Sequence, residues 1–308
     1  MSRNNQRMAY GQALVELGAK NPNVVALDAD LCKSTQSVMF EQAYPNRFFE
    51  MGIKEQDMMS TAAGLAASGK IAFASTFAVF AAGRAYDQIR QTICIGNLNV
   101  KVCGSSAGFS DFGDGSTHQS IDDMAIMNAI PNMTVLTPAD ANETKAAVFA
   151  AAEHQGPVYI RVCRNDVLDV TPEDKPFTIG KLNVLREGNA AVIFAMGTMI
   201  ERALNAAEEL AKEGISVKVV NVSTLKPFDA QGAAKLAESC RAVVVAEEAS
   251  YIGGLTGAVA TALRKSSVPM DYVAVEDVFG QSAHSAEELM DYYGLTTENI
   301  VSKLKATL

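Results

Sequence analysis

Val158-Tyr159-Ile160-Arg161-Val162 decides the fold class, because this short, β-branched, largely apolar run is typical of a buried strand. Similar runs recur through the first half of the chain: Val24–Leu27, Ile71–Ala74, Val100–Cys103 and Thr134–Leu136. Stretches with helical periodicity lie between them: Ala9–Ala19, Gln56–Ser68, Ala82–Ile95 and Asn142–His154. This alternation predicts an α/β fold in which helices cover both faces of a mostly parallel sheet.

Polar, proline-containing sequence around Val170–Pro176 interrupts the alternation, as interdomain linkers do. A second series of predicted strands follows: Ala190–Ala195, Val217–Val222, Ala242–Ala246 and Tyr272–Val275. Helical periodicity occurs between them at Glu201–Glu213 and Gly254–Arg264. We therefore expect two doubly wound, mostly parallel-sheet domains, at residues 1–168 and 188–308, joined by a linker at 169–187.

Composition excludes several classes of protein. Of the 308 residues, 48% are hydrophobic and 20% are charged, which is typical of a folded chain with large cores. The formal charge of −9 argues against nucleic acid and anionic membrane surfaces as partners, since proteins that bind either of them carry an excess of lysine and arginine at the binding surface. Five cysteines without a CxxC pair predict neither a disulfide framework nor a zinc site. With no signal-peptide or membrane-span pattern, we expect a cytoplasmic protein.

The three histidines differ in their sequence context, which favours different roles for them. His154 ends a predicted helix and His284 precedes a predicted helix N-cap, so structural roles are favoured for both. His118 instead lies in Gly113-Asp114-Gly115-Ser116-Thr117-His118-Gln119, a glycine-rich segment that follows a predicted strand. Because ligands of open α/β sheets bind beyond the ends of the strands, His118 is a candidate functional residue.

Two other segments carry candidate residues, although each also has an ordinary structural explanation. Met51-Gly52-Ile53-Lys54-Glu55-Gln56 places Glu55 in the first turn of a helix, where an acid complements the helix dipole. Ala74-Ser75-Thr76-Phe77-Ala78-Val79-Phe80 ends a strand in two aromatic residues, a pattern that also serves core packing. Neither segment establishes a function alone.

Together, and in this order, these segments resemble the pyrimidine-binding domain of transketolase and of 1-deoxy-xylulose-5-phosphate synthase, two families of thiamine diphosphate enzymes. The resemblance covers essentially the whole chain. It also includes Leu27–Leu31, Arg84–Gln88, Ile130–Met133, Thr137–Asp140, Thr224–Asp229 and Gly253–Leu255. It implies that residues 1–168 are a pyrimidine-binding domain and that residues 188–308 are a transketolase C-terminal domain.

The resemblance implies four cofactor-binding residues. Glu55 matches the acid that hydrogen-bonds to the thiamine pyrimidine ring and activates the coenzyme, which requires that burial hold its carboxyl group protonated or sharing a proton. Phe77 and Phe80 match the aromatic pocket around that ring. Asp30 matches an acid near the positively charged thiazolium ring.

The resemblance also implies the substrate-binding residues. His118 and Asp114 match residues that face the sugar, His118 as a proton-transfer or hydroxyl-binding group and Asp114 as a hydroxyl acceptor. Arg164 matches a phosphate-binding arginine, whose planar fork can bind phosphate oxygens bidentately. Arg7 and Ser34 match two further phosphate contacts.

One departure affects substrate choice. Transketolases usually carry a second substrate-facing histidine twelve residues before the one matched by His118, and this chain has Ser106 there. The identity and stereochemistry of the donor sugar therefore cannot be carried over from the family.

The resemblance does not include a site for the diphosphate and its Mg²⁺, which the family builds from Gly-Asp-Gly and an asparagine roughly thirty residues later. Asp114 and Asn142 have a similar spacing, but Asp114 belongs to the pyrimidine-domain pattern and Asn142 opens a predicted helix. We therefore expect no metal ligand on this chain. Thiamine diphosphate and Mg²⁺ should be held mainly by a separate diphosphate-binding N-terminal subunit, in an α₂β₂ assembly.

The implied activity is that of a split transketolase, which transfers a two-carbon ketol unit between phosphorylated sugars. Two enzyme alternatives stay open: a 1-deoxy-xylulose-5-phosphate synthase-like subunit, which Arg84–Gln88 resembles more closely, and the β subunit of a 2-oxo acid dehydrogenase. The third alternative is a catalytically silent regulatory subunit. The joint presence of Glu55, Phe80, Asp114 and His118 weighs against that last alternative.

Overall fold

The computed structural model describes residues 2–308, which contain fourteen strands. These are β1 (Arg3–Asn5), β2 (Val24–Asp28), β3 (Phe48–Glu50), β4 (Ile71–Phe77), β5 (Val100–Ser105), β6 (Thr134–Leu136), β7 (Val158–Arg161), β8 (Asp166–Leu168), β9 (Asn183–Arg186), β10 (Ala191–Ala195), β11 (Val217–Asn221), β12 (Thr224–Lys226), β13 (Val243–Ser250) and β14 (Met270–Val275). Every strand predicted from the sequence is present.

The predicted helices are present as well, with others between them. The α-helices are α1 (Gln6–Lys20), α2 (Cys32–Thr35), α3 (Val38–Ala43), α4 (Glu55–Ala67), α5 (Tyr86–Gln88), α6 (Asp123–Ala129), α7 (Ala141–Glu153), α8 (Met199–Lys212), α9 (Ala230–Glu238), α10 (Leu255–Ala262), α11 (Ala286–Tyr292) and α12 (Thr297–Thr307). Two π-helical segments, Phe80–Arg84 and Ile89–Cys94, flank α5. Single 3₁₀ turns lie at Pro45–Arg47 and Gly115–Thr117.

The first sheet has the strand order β12-β6-β7-β5-β4-β2-β3, and all of its strands except β12 run parallel. Side chains alternate between its faces, so that Phe73 packs in the cluster of α1 and α7 whereas Ala72 and Ala74 pack in the cluster of α4. Helices therefore cover both faces. The predicted α/β, doubly wound class is confirmed.

The second sheet has the order β14-β13-β10-β11-β9, with β9 antiparallel to β11 and the other pairs parallel. Helices α8 and α12 pack on one face, and α9 and α10 pack on the other. Strand β9 lies inside the expected linker at 169–187, so part of that segment belongs to the second sheet. The domain boundaries themselves stay a prediction.

Two contacts fix the domains to each other. Strand β12, from the second half of the chain, pairs antiparallel with β6 and extends the first sheet. Arg161 on β7 is buried and donates to the Asp123 carboxylate at 3.0 Å and to the carbonyl oxygens of Ser120 and Glu248 at 3.1 and 2.9 Å. The guanidinium group has partners in both domains. The free-energy cost of burying its charge is therefore compensated only when the two domains are docked.

The two histidines expected to be structural lie where the sequence predicts. His154 is the C-cap residue of α7. His284 precedes Ser285, the N-cap of α11, whose side chain accepts from the Glu288 backbone N–H, while His284 N donates to the Glu288 carboxylate. Within residues 2–308, no helix combines the length and apolarity needed to cross a bilayer. The cytoplasmic location stays a prediction.

Asp140 is a buried N-cap that also holds the start of the expected linker at 169–187. Its carboxylate accepts from Glu143 N at 2.8 Å, from Val170 N at 2.7 Å and from the backbone and hydroxyl of Thr171 at 2.6 and 2.7 Å. We expect Asp140→Ala to lower the free energy of unfolding by about 3 kcal/mol, because several buried donors lose their acceptor. Urea denaturation followed by circular dichroism measures this loss.

Asp229→Ala is the matched control, because Asp229 is also an N-cap aspartate but its carboxylate accepts, among residues 2–308, only from Gly232 N, at 2.9 Å. We expect a loss of about 1 kcal/mol there. Equal losses in the two variants would contradict the special role of Asp140.

Candidate active site

The parallel strands of the first sheet end at one edge, and the candidate residues follow those ends. Asp30 lies after β2 and Glu55 after β3. Beyond the next strands along the sheet lie Phe77 and Phe80 (end of β4), Asp114 and His118 (after β5) and Arg164 (after β7). This is the edge at which open α/β sheets bind ligands.

Glu55 is the first residue of α4, and it is only 2% exposed. Its Oε1 accepts from Arg84 Nη1 at 2.7 Å. Its Oε2 is buried and has no hydrogen-bond partner among the described residues. A buried carboxylate oxygen without a partner is costly, so this atom marks a place where the site is chemically incomplete. The protonation state expected for Glu55 stays a prediction.

Arg84 links this carboxyl group to a cluster of rings. Phe77 and Phe80 lie nearly parallel, with ring centroids 6.0 Å apart, and the His118 ring meets Phe80 edge-on at 5.3 Å. The Arg84 guanidinium carbon lies 4.2 Å from the centroid of Phe80. Glu55, Phe77, Phe80, Arg84 and His118 thus form one cluster, which we call the aromatic pocket.

A second group of predicted residues lies at the carboxyl end of β7 and the start of α1. Arg164 Nη1 is 3.0 Å from Oδ2 of the buried Asp111. Arg7 Nη1 donates to the carbonyl oxygen of Ser34 at 2.8 Å, and its Nε is buried without a partner. Burial and, after it, the charge of nearby Arg164 lower the pKa of Arg7. We call Arg7, Ser34, Asp111 and Arg164 the arginine cluster.

The arginine cluster adjoins the loop that carries His118. Burial raises the pKa of Asp111. Nearby Arg164 and His118 lower that pKa, whereas the neighbouring Asp114 raises it. Asp114 itself is exposed. His118 also contacts Phe80 of the aromatic pocket, so the loop after β5 carries residues that face both groups.

Asp30 stands apart from both groups. It has a left-handed backbone, with φ of 61°, and its backbone N–H donates to Glu50 Oε1 at 2.8 Å. Buried Asp28 shapes this loop by accepting from Leu31 N at 2.6 Å and from the Thr35 hydroxyl at 2.7 Å, and burial raises the Asp28 pKa to about 7. The described contacts do not link the Asp30 side chain to the aromatic pocket.

The second domain holds the loop between β5 and α6. The buried Glu248 carboxylate accepts from Phe109 N at 2.7 Å, and Gln119 Nε2 donates to the Gln281 carbonyl oxygen at 2.9 Å. Phe109 and Gln119, which make these contacts, lie on either side of His118 in the sequence. The second domain therefore helps to position His118.

Sequence reasoning assigned no role to Arg84, Asp111 or Glu248. Glu248 had a detectable signal, because Glu247-Glu248 places two acids at the end of an apolar strand. Arg84 lay within a motif that was noted only for its resemblance. Asp111, in the loop after β5, carried no separate signal.

Ser106 occupies the position of the missing histidine. It is fully buried with a φ of 54°, and its hydroxyl has no hydrogen-bond partner among the described residues. A non-glycine residue in this conformation is uncommon and is found often at functional sites.

Asn142, which lies at metal-site spacing from Asp114, has a structural partner. Asn142, in the first turn of α7, donates through Nδ2 to the carbonyl oxygen of Thr171 at 2.8 Å. Across residues 2–308, no group of three or more His, Cys, Asp and Glu side chains is arranged to hold a metal ion.

Comparison with known proteins adds independent information. The transketolase pyrimidine-binding domain family matches residues 4–168, and the transketolase C-terminal domain family matches residues 180–300. A Methanocaldococcus jannaschii protein, named provisionally as a transketolase C-terminal section, is 43% identical over 97% of this chain and 94% of its own length.

Two further similarities concern chains of transketolase complexes. A 6-deoxy-6-sulfo-D-fructose transketolase subunit from Clostridium sp. (strain MSTE9) is 42% identical over 96% of this chain and 92% of its own. A solved split-gene transketolase, described as an inactive β4 tetramer, is 48% identical with a TM-score of 0.91, covering 99% of this chain and 98% of that one. Our chain therefore belongs to the transketolase family, and it corresponds to the C-terminal chains of split transketolases, with a pyrimidine-binding domain followed by a C-terminal domain.

Proposed function

We propose that this chain is the β subunit of a split, thiamine diphosphate-dependent transketolase. With a separate diphosphate-binding subunit, it transfers a two-carbon ketol unit between phosphorylated sugars. The observation that carries the proposal is the buried Glu55 carboxyl group, which has one unpartnered oxygen among the described residues and is linked through Arg84 to the rings of Phe80, Phe77 and His118.

The aromatic pocket fits the aminopyrimidine ring of the coenzyme. Glu55 Oε2 is a buried oxygen that needs a hydrogen-bond partner, and Phe80 offers a flat surface for stacking. When bound, thiamine diphosphate supplies the carbon nucleophile for ketol transfer. Glu55 would hold a proton at the pyrimidine ring nitrogen, while Phe77 and Phe80 orient the ring and exclude water. Asp30 is proposed to face the thiazolium ring.

The substrate would lie between the aromatic pocket and the arginine cluster. Arg164 and Arg7 carry the charge to bind an anionic end group, with Ser34 beside them, and Arg7 Nε has no partner of its own. His118 is proposed to move a proton at a sugar hydroxyl or bind it, and Asp114 to accept from another hydroxyl.

The names of two relatives support an anionic sugar. One relative is a subunit of a 6-deoxy-6-sulfo-D-fructose transketolase, and another, 34% identical over 96% of this chain, is a subunit of an apulose-4-phosphate transketolase from Phocaeicola vulgatus. Both named sugars carry an anionic group at one end. We infer that our chain also uses such sugars, with phosphate as the anion.

The diphosphate and Mg²⁺ are proposed to bind mainly to a partner subunit. The family domains matched on this chain are the pyrimidine-binding and C-terminal ones, and the 48% identical neighbour is described as an inactive tetramer of β chains. A closed two-fold arrangement makes α₂β₂ the simplest active assembly.

Reconstitution tests the proposal directly. We expect ketose phosphate to be converted, with an aldose phosphate acceptor, only when this chain, the diphosphate-binding subunit from the same organism, thiamine diphosphate and Mg²⁺ are all present. Coupled assays of the released aldose and gel filtration of the complex provide the measurements.

Changing the subunits and substrates in this assay distinguishes the proposed function from the alternative functions. Turnover by the isolated chain contradicts the two-subunit proposal. Conversion of pyruvate with glyceraldehyde phosphate, or with a lipoyl domain, would instead identify a deoxyxylulose phosphate synthase or a 2-oxo acid dehydrogenase. A tight, coenzyme-loaded complex that turns over none of these substrates would identify a silent regulatory subunit.

Glu55→Gln tests the proposed acid. We expect turnover in the reconstituted complex to fall at least about 100-fold, because glutamine cannot exchange a proton with the pyrimidine ring. Asp57→Asn is the matched control, since Asp57 is an exposed acid in the same helical turn, and its turnover should stay at the wild-type level. Unchanged turnover in Glu55→Gln would refute the assignment.

Arg164→Gln tests the proposed anion site, because glutamine keeps an N–H donor for Asp111 while removing the charge. We expect KM for a phosphorylated ketose to rise about 10- to 100-fold, with a smaller change in kcat. Arg264→Ala, an exposed arginine in the second domain, should behave as wild type. An equal loss with an unphosphorylated ketose would show that Arg164 does not recognise the phosphate.

A further inference from the structure

Arg84 lies in the aromatic pocket, where it makes two contacts of different kinds. Its Nη1 donates to Glu55 Oε1 at 2.7 Å, and its guanidinium carbon lies 4.2 Å from the centroid of the Phe80 ring. A flat group with N–H donors therefore covers a half-buried aromatic ring and pairs with one oxygen of a buried carboxylate at the same time.

An aminopyrimidine ring would use the same two groups. It is also flat, it also carries an N–H donor beside a ring nitrogen, and it is proposed to stack on Phe80 while hydrogen-bonding Glu55. The Phe80 ring already has Phe77 nearly parallel to it at 6.0 Å and His118 edge-on at 5.3 Å. A further ring that stacks on the Phe80 face covered by Arg84 must therefore displace the guanidinium group.

Arg84 is the neighbour that is free to leave. Its side chain is 44% exposed, whereas the Glu55 side chain is 2% exposed and Phe77 is 5% exposed. The described contacts of the Arg84 side chain are the ion pair with Glu55 and the stacking on Phe80. Rotation of this long side chain into solvent would break no other hydrogen bond or ion pair with the described residues.

The pairing also has a structural reason in the absence of coenzyme. A buried carboxylate without a counter-charge is strongly destabilising, and Arg84 supplies that charge to Glu55. The second oxygen, Oε2, stays without a partner, so the guanidinium satisfies the carboxylate only in part. A ligand that pairs with Glu55 more completely can therefore replace it.

We propose that Arg84 is a removable occupant of the aromatic pocket, which fills the place of the coenzyme's pyrimidine ring and turns out to solvent when that ring enters. It acts through Glu55 and is a positioning residue. The inference rests on the proposed function, because that proposal places the pyrimidine ring on Glu55 and Phe80. This occupancy lowers the affinity for the coenzyme, because Arg84 must leave the pocket before the coenzyme can bind.

Calorimetric titration of thiamine diphosphate tests the inference, with the chain complexed to its diphosphate-binding subunit in the presence of Mg²⁺. If Arg84 occupies the pocket in about nine molecules of ten, Arg84→Ala should lower the apparent Kd about tenfold. Arg90→Ala is the matched control, because Arg90 is an exposed arginine six positions further along the chain, on the π-helical segment after α5, and its Kd should equal that of wild type.

Thermal unfolding without coenzyme gives a second readout. Arg84→Ala should lower Tm, because Glu55 loses its counter-charge, and the double variant with Glu55→Gln should recover most of the loss. Saturating coenzyme should abolish the Tm difference between Arg84→Ala and wild type. A merely structural arginine would lower Tm with and without coenzyme alike.

The outcomes distinguish the inference from the function on which it rests. Coenzyme binding to Arg84→Ala that is equal to or weaker than wild-type binding overturns the inference and leaves the proposed function standing. Failure of both wild type and Arg84→Ala to take up coenzyme overturns the proposed function and the inference with it. Uptake by Arg84→Ala that exceeds wild-type uptake supports both.

Discussion

The parallel register of the first sheet is the constraint on which the site depends. Asp28 pairs with Ser75, Ser75 with Cys103 and Cys103 with Ile160, so four strands reach the same edge together. Neighbouring strands lie only about 4.8 Å apart, which brings together the residues that follow them. An antiparallel arrangement would send half of these residues to the opposite edge.

Buried charges at this edge fall into two kinds. Arg161 and Asp123 are paired at 3.0 Å, and Arg161 also reaches two carbonyl oxygens, so the pair is enclosed by donors and acceptors. Within the part of the chain that the structure describes, the Glu55 carboxylate has a single partner, Arg84, and one oxygen without a hydrogen bond. A fully satisfied pair fixes the docking of two domains, whereas an incompletely satisfied carboxylate is suited to receive a ligand.

The second domain completes the first one structurally. Strand β12 extends the first sheet, and Glu248 fixes the backbone of Phe109 in the loop that leads to His118. A chain truncated after the first domain would lose both contacts. The second domain therefore contributes to the site by holding a loop.

The sequence by itself determined the order of strands and helices, the class of fold and the position of Glu55 at a helix start. These features follow from periodicity and from residues close in the chain, which short-range physics governs. Phe77 and Phe80 were also predictable as neighbours, because only two residues separate them where one strand ends.

Only the tertiary structure decided which charges meet. Arg84 pairs with Glu55 across 29 positions, and Glu248 accepts from Phe109 across 139. Many acidic residues of the chain could have paired with Arg84 or with the Phe109 backbone N–H. No local sequence pattern shows which of these acids does so. The choice is made by the packing of sheets and helices, because a buried charge requires whichever partner the fold brings within hydrogen-bonding distance.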